Sequence, residues 1–254
     1  MLEYLLLIPI FFSSLVYGII GFGDALILIP IISPIIGIKT SVILVNIWGL
    51  FPALLNFIKY RMYLDKKYFF RFLSLGVPAT ILGTYLIINI RTEWIELVFG
   101  VFVLIYSSYK IALYLKNPTS LEVNGSLKVN SLVIILGGFT YGLLAGLISA
   151  AGPLNVVLLE KSEHYKENFI GNFAAIGTVL SISRVPYYVF GGLFPIELIF
   201  VFLLAFPIIF IGTKVGHKIT PKISLRLFQL AIFWFLFIIS VRSIILALIG
   251  LIIF

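Results

Sequence analysis

The chain has no cysteine and little charge: 11% of its residues are Asp, Glu, Lys or Arg, and only two are histidine. Without cysteine there is no disulfide, no thiol nucleophile and no thiolate metal site. A soluble domain carries about 25% charged residues. Here 61% of 254 residues are hydrophobic and the mean hydropathy is +1.19, which is more apolar surface than a water-soluble fold can bury. We read the chain as an integral membrane protein. No polar stretch is longer than a loop, so no soluble domain is expected. No ATP-binding motif is present, which argues against ATP-driven transport by this chain alone. No G-x-G-x-x-G follows a strand, so no dinucleotide site is predicted, and no cofactor is implied. An intramembrane enzyme lacks its constellation: there is no cysteine, no histidine in a span and no pair of carboxylates within the membrane. His164 and His217 lie in charged loops and are expected to be solvated, so no metal site is expected. The amino terminus lacks a basic region and a small-residue cleavage site, and is not read as a cleaved signal peptide. The net charge of +8 is ascribed to cytoplasmic loops rather than to a nucleic-acid partner.

What is present is long apolar sequence. The runs exceed about 18 residues, which predicts membrane-spanning helices rather than barrel strands. Two runs, 4–38 and 129–159, are too long for one ordinary span, and each is broken near its centre. The first break is Gly18-Ile19-Ile20-Gly21-Phe22-Gly23-Asp24-Ala25, and Asp24 is the only charge in its run. The second is Gly146-Leu147-Ile148-Ser149-Ala150-Ala151-Gly152-Pro153, in a run without charge. Each run is read as a re-entrant helical hairpin, and the two tips are expected to meet at a binding site.

Single spans are predicted at 41–58, 72–90, 94–115, 168–189, 198–213 and 227–241, with Arg242 interrupting before an apolar tail. The stretch 116–128, rich in Asn, Gly, Ser and Pro turn residues, is read as a cytoplasmic linker. It divides the chain into two membrane repeats, 1–115 and 129–254. The repeats align at an offset of 129, which lays Val77-Pro78-Ala79-Thr80-Ile81-Leu82-Gly83-Thr84 over Phe206-Pro207-Ile208-Ile209-Phe210-Ile211-Gly212-Thr213. The opening motifs align at 128. The basic loop 59–71 corresponds to the uncharged loop 191–195, whereas the short loop 91–93 corresponds to the basic loop 214–226. Basic loops stay in the cytoplasm, so the repeats are expected to be inverted. Each would hold one broken hairpin plus three transmembrane helices, with the N-terminus outside. One long tilted span per broken run would instead give parallel repeats and place a basic loop outside.

A helix broken within the bilayer is tolerated only inside protein or beside a water-filled cavity. Helices starting after Asp24 and after Gly152-Pro153 would aim free N–H groups at the tips, an arrangement that suits an anion. Gly21, Gly23 and Gly152 would let backbone approach a ligand, although small residues also serve helix packing. Pro153 fits a first helical turn. Asp24 has three readings: an N-cap, a proton-coupling group, or a direct contact to cation or substrate. Arg184 either binds an anion, pairs with Asp24, or snorkels toward an interface. Asn46, Ser149 and Asn155 complete the candidate substrate-binding set; each asparagine has an alternative role in hydrogen bonding between helices.

These residues resemble the sulfite exporter TauE/SafE family of membrane permeases over nearly the whole chain. Residues 18–30, ending in Pro30, look like the family's first glycine-rich motif. Ser149-Ala150-Ala151-Gly152-Pro153 looks like a degenerate second motif, with Ala151 where the family pattern has glycine and Leu154 where it has a second proline. The resemblance implies transport of small anions, chiefly sulfite, organosulfonates and related sulfur or carboxylate compounds, in the cell membrane. The expected partners are therefore a small anionic substrate and the lipid bilayer, with protons added only under the coupling reading of Asp24, and no statement of oligomeric state. A cation carrier and a non-catalytic membrane subunit of a larger complex are the competing readings.

Overall fold

The computed structural model describes residues 5–20, 22–116, 129–164, 166–219 and 225–253. Among these residues the chain forms ten α-helices and no strand. They are α1 (Leu7–Ile20), α2 (Asp24–Ile36), α3 (Ile38–Tyr60), α4 (Lys66–Asn89), α5 (Thr92–Lys116), α6 (Ser131–Ile148), α7 (Gly152–Lys161), α8 (Lys166–Phe190), α9 (Ile199–Ile219) and α10 (Leu225–Ile253). Apart from Lys116, the linker 116–128 lies outside the described residues, as does Gly21.

Seven helices, α3 to α6 and α8 to α10, are long and apolar enough to cross a membrane. The protein is a multi-pass membrane protein. By contrast, α1 and α2 have 14 and 13 residues, about 20 Å each at the helical rise, against a hydrocarbon core of about 30 Å. The first apolar run is thus two short helices, as its glycines predict. The second is asymmetric: α6 has 18 residues and α7 has 10. The two breaks coincide at the offset of 128. Ile20 and Ile148 end their helices, and Asp24 and Gly152 begin the next.

Arg242 does not interrupt the last helix; α10 continues through it for 29 residues. Arginine is a good helix former, its side chain is exposed, and Glu96 of α5 lies within electrostatic range.

The helices gather into two compact units. One holds α1, α2, α5, α9, α10 and the first residues of α3. The other holds α3 from Val42 onward, α4, α6, α7 and α8. Each unit takes helices from both sides of the linker. In the second unit α4 and α6 pack backbone to backbone. A Cβ on Gly142 would overlap the Gly76 carbonyl, and one on Gly146 would overlap that of Thr80. Thr80 Oγ1 donates to the Gly142 carbonyl at 2.8 Å. Contacts advance together along both chains, so α4 and α6 run parallel. The first unit repeats the scheme with α9 and α1. Gly18 meets the Thr213 carbonyl, and Thr213 Oγ1 donates to the Ser14 carbonyl at 3.4 Å. Ser14 and Gly18 are the offset mates of Gly142 and Gly146. In the same unit α5 packs against α10 with the order reversed: Glu93 meets Gly250, Gly100 meets Ile244, and Tyr106 meets Phe233. These two helices are antiparallel.

Gly142→Val should lower the melting temperature of the detergent-solubilised protein markedly. Overpacking costs about 1–3 kcal/mol, and here the obstacle is backbone. Gly177→Ala, whose Cβ would meet only Ala53 at 3.9 Å, should leave the melting temperature unchanged or raise it.

Candidate functional site

At the first break, Gly23 is the N-cap of α2, with φ 91° and ψ 0°. This is the left-handed region that glycine enters without a Cβ penalty. A Cβ there would meet nothing within 4 Å, so the glycine is needed for its backbone angle rather than for close packing. Asp24 is the first residue of α2, one position beyond the cap. Its charge lies in the first turn, where the helix dipole favours an anion. Asp24 is thus a half-buried first-turn carboxylate whose oxygens accept from N–H groups at the start of its own helix.

At the second break the left-handed residue is Ser149, with φ 52°. A non-glycine residue there is strained by about 1 kcal/mol or more, and side-chain bonds hold it. Ser149 Oγ donates to the Val42 carbonyl at 3.0 Å and accepts from Arg184 Nη1 at 2.9 Å. Ala151 has φ −76°, an ordinary right-handed value, so this position accommodates a Cβ. Pro153 stands in the first turn of α7 as expected, and no side chain caps that helix.

Arg184 does not snorkel. It is 5% exposed and turns inward to the end of α6. Nη1 donates to the Ala145 carbonyl and to Ser149; Nε donates to Leu180 O at 3.2 Å, and Nη2 to Ser181 Oγ at 3.2 Å. A guanidinium has five N–H donors, so nearly all are committed to neutral protein groups. Among the described residues neither Arg184 nor Asp24 takes part in an ion pair. The cation at the C-terminal end of α6 is favoured by the helix dipole, yet it has no carboxylate partner.

The same unit buries polar atoms that make no hydrogen bond, among them both amide atoms of Asn46, Nδ2 of Asn155 and the hydroxyl of Thr178. Asn46 lies one turn beyond Val42 on α3. Tyr188 lies one turn beyond Arg184, and its hydroxyl lies within hydrogen-bonding range of Arg184, Ser149 and Thr84. Asn155 is fully buried, and its Oδ1 accepts from Tyr68 O–H at 3.3 Å. That bond fixes the amide so that Nδ2 is the end left over. Such orphaned groups each cost about 1–3 kcal/mol and are rare in native interiors.

Six of the nine predicted residues therefore belong to one unit: Asn46, Ser149, Gly152, Pro153, Asn155 and Arg184. Only Ser149 and Arg184 are directly bonded. Gly23 and Asp24 belong to the other unit, and Gly21 lies outside the described residues. Thr178, Ser181 and Tyr188 were missed, although their spacing with Arg184 places all four on one face of α8, a polar stripe on an apolar helix. His164 is not solvated. It is 7% exposed because the turn at Glu163, φ 59°, folds it back onto Tyr68, with ring centroids 4.8 Å apart. Its Nε2 lies 3.3 Å from Asp65 Oδ2.

Comparison with curated proteins gives no match, and neither does comparison with solved structures. A family model described as sulfite exporter TauE/SafE matches residues 6–243. That match runs from the hairpin at the start of the chain into α10 and takes in both breaks. The chain belongs to the sulfite exporter TauE/SafE family and is a membrane transporter.

Proposed function

We propose that this protein is a secondary transporter of small anions, with the binding site in the unit that carries Arg184. One observation carries the reading: a buried guanidinium has no carboxylate partner among the described residues, and the same unit buries amide and hydroxyl groups left without a hydrogen bond. A buried charge costs several kcal/mol unless compensated. An anion would compensate it and would accept from the amides of Asn46 and Asn155 and from the hydroxyl of Thr178. The first turn of α7, free of a side-chain cap, adds a positive dipole end. A cation carrier would find the wrong polarity here, and a mere membrane subunit would have no need of orphaned donors.

The donors are sealed from solvent, with exposures of 0–4% for Asn46, Asn155 and Thr178. Entry and exit then require a change of conformation, as in alternating access. Inverted repeats suit that motion. The antiparallel packing of α5 and α10, the last helices of the two sequence halves, supports inversion. With basic loops inside, the N-terminus faces outward across the plasma membrane. Asp24, a carboxylate within an apolar run, is our candidate for proton coupling.

Two measurements test this. In proteoliposomes offered sulfite, sulfate, organosulfonates and carboxylates, Asn46→Leu should raise the KM of a transported anion about 10-fold or more. It should also leave the melting temperature equal or higher, since an unsatisfied amide is removed. An unchanged KM with higher stability would make Asn46 a structural defect and sink the site. Asp24→Asn should abolish acceleration of uptake by an inward proton gradient in a protein that still folds. Normal flux with normal pH dependence would remove Asp24 from the mechanism.

A further inference from the structure

We propose that the turn joining α3 to α4 is a binding surface for the headgroups of anionic phospholipids. Residues 59–71 carry five cations, Lys59, Arg61, Lys66, Lys67 and Arg71, and one acid, Asp65. Because the turn joins two spans, it stands at a membrane face. Lys59, Arg61, Lys66 and Lys67 are exposed, and Arg71 is half-buried. Among the described residues no carboxylate lies within ion-pair range of any of the five. Asp65 is engaged elsewhere. Its Oδ1 accepts from the N–H groups of Lys67 and Tyr68 at 2.9 and 3.1 Å, and its Oδ2 faces His164. The adjoining stretch 160–167 adds Lys161 and Lys166 against Glu160, Glu163 and Glu167, so cations still outnumber acids at this end of the unit.

The surface is held from beneath by α8. The Asp65 N–H donates to Asn172 Oδ1 at 3.2 Å, and Asn172 Nδ2 donates to the Asn168 carbonyl and Oδ1. A Cβ on Gly171 would come within 2.8 Å of the Tyr60 carbonyl oxygen, so the end of α3 rests on the α8 backbone. A single 3₁₀ turn, Arg61–Tyr63, carries the chain round toward α4. The outer side of this turn is apolar as well as basic. Met62, Tyr63 and Phe70 are 84%, 52% and 67% exposed, and Lys59 Nζ stands 5.0 Å from the centre of the Tyr60 ring. Cations beside exposed aromatic and thioether side chains suit the boundary between headgroup and acyl chain. There the apolar groups enter lipid while Lys and Arg reach phosphate. A soluble anion would meet the charges and leave Met62 and Phe70 in water; a lipid meets both. Five cations beside two spans fall within the cluster size, about 4–8, that draws anionic lipid.

The test uses a single label, because the chain has no cysteine. Full-length protein carrying Met62→Cys is labelled with bimane and reconstituted in phosphatidylcholine bilayers. Brominated phosphatidylglycerol or brominated phosphatidylcholine is then introduced as quencher at equal mole fraction. At about 20 mM salt the label should report an affinity for phosphatidylglycerol about 5-fold or more above that for phosphatidylcholine, falling toward equality near about 1 M. A label at Asn89→Cys, at the other end of α4 where Arg91 is paired with Glu93, should show no preference. Adding Lys59→Gln, Arg61→Gln, Lys66→Gln and Lys67→Gln together should abolish the preference without lowering the melting temperature, since all four side chains are exposed. Lys66→Gln with Lys67→Gln alone should leave an intermediate preference. Equal quenching by the two lipids at low salt would overturn the proposal, as would a preference that survives high salt or the four glutamines. The salt series in protein that keeps all five cations tests the claim even if the fourfold variant fails to fold. Transport is not measured, so either result leaves the anion reading untouched.

Discussion

A helix that stops inside a membrane leaves carbonyl groups that no water can satisfy, and the bond from Arg184 to the last turn of α6 answers that demand. The Ala145 carbonyl accepts both from Arg184 and from the Ser149 N–H. Ser149 can take its left-handed angle because its hydroxyl is held from two sides. The break is therefore built as much by α3 and α8 as by its own residues. Were the guanidinium absent, the end of α6 would lose its counter-charge, and the strained serine would lose one of its two side-chain anchors.

The break is held in place by a second constraint, the contact of backbone with backbone along α4 and α6. Lipid supplies no hydrophobic drive for helices to associate, so close packing and hydrogen bonds must do it. Glycine brings the Gly76 and Thr80 carbonyls against the facing helix, and a threonine hydroxyl bridges the gap. The same scheme recurs between α9 and α1. Two helix pairs drawn from opposite sequence halves thus solve the same packing problem, with mated residues on α1 and α6 and with α9 shifted by one turn relative to α4. The simplest physical source of such agreement is a duplicated chain whose first helix packs on the fourth helix of the other copy.

Much of the architecture was legible because bilayer physics leaves strong marks on sequence. Apolar runs longer than a span, interrupted by Gly18, Gly23, Gly152 and Pro153, could fold only as broken helices. What was illegible depended on direction. Arg184 sits near the end of its predicted span, where an arginine can reach water. Only its packing against α6 turns it inward. His164 looked solvated among charges, yet the left-handed Glu163 folds it under α7. The continuation of α10 through Arg242 also escaped, because a lone arginine on the exposed side of a helix costs little. Thr178 and Tyr188 were hidden by their chemistry: a hydroxyl in an apolar helix commonly bonds its own backbone, as Ser107 and Thr84 do here.

The two breaks end and begin their helices at matched positions but differ in backbone angle, left-handed at Gly23 and right-handed at its mate Ala151, and in charge. Helix α2 opens with Asp24, so a carboxylate of the chain already occupies the electropositive end of the helix. Helix α7 opens with Gly152 and Pro153, which bring no acid, and its N-cap Ala151 has no side chain able to accept a hydrogen bond. Of two equivalent helix starts, one is neutralised from within and the other is left for something from outside. The unit that keeps the open helix start is also the one that buries Arg184 and the orphaned amides. A carboxylate thus stands at the first break and a guanidinium beside the second, so matched breaks in the chain carry opposite charge chemistry.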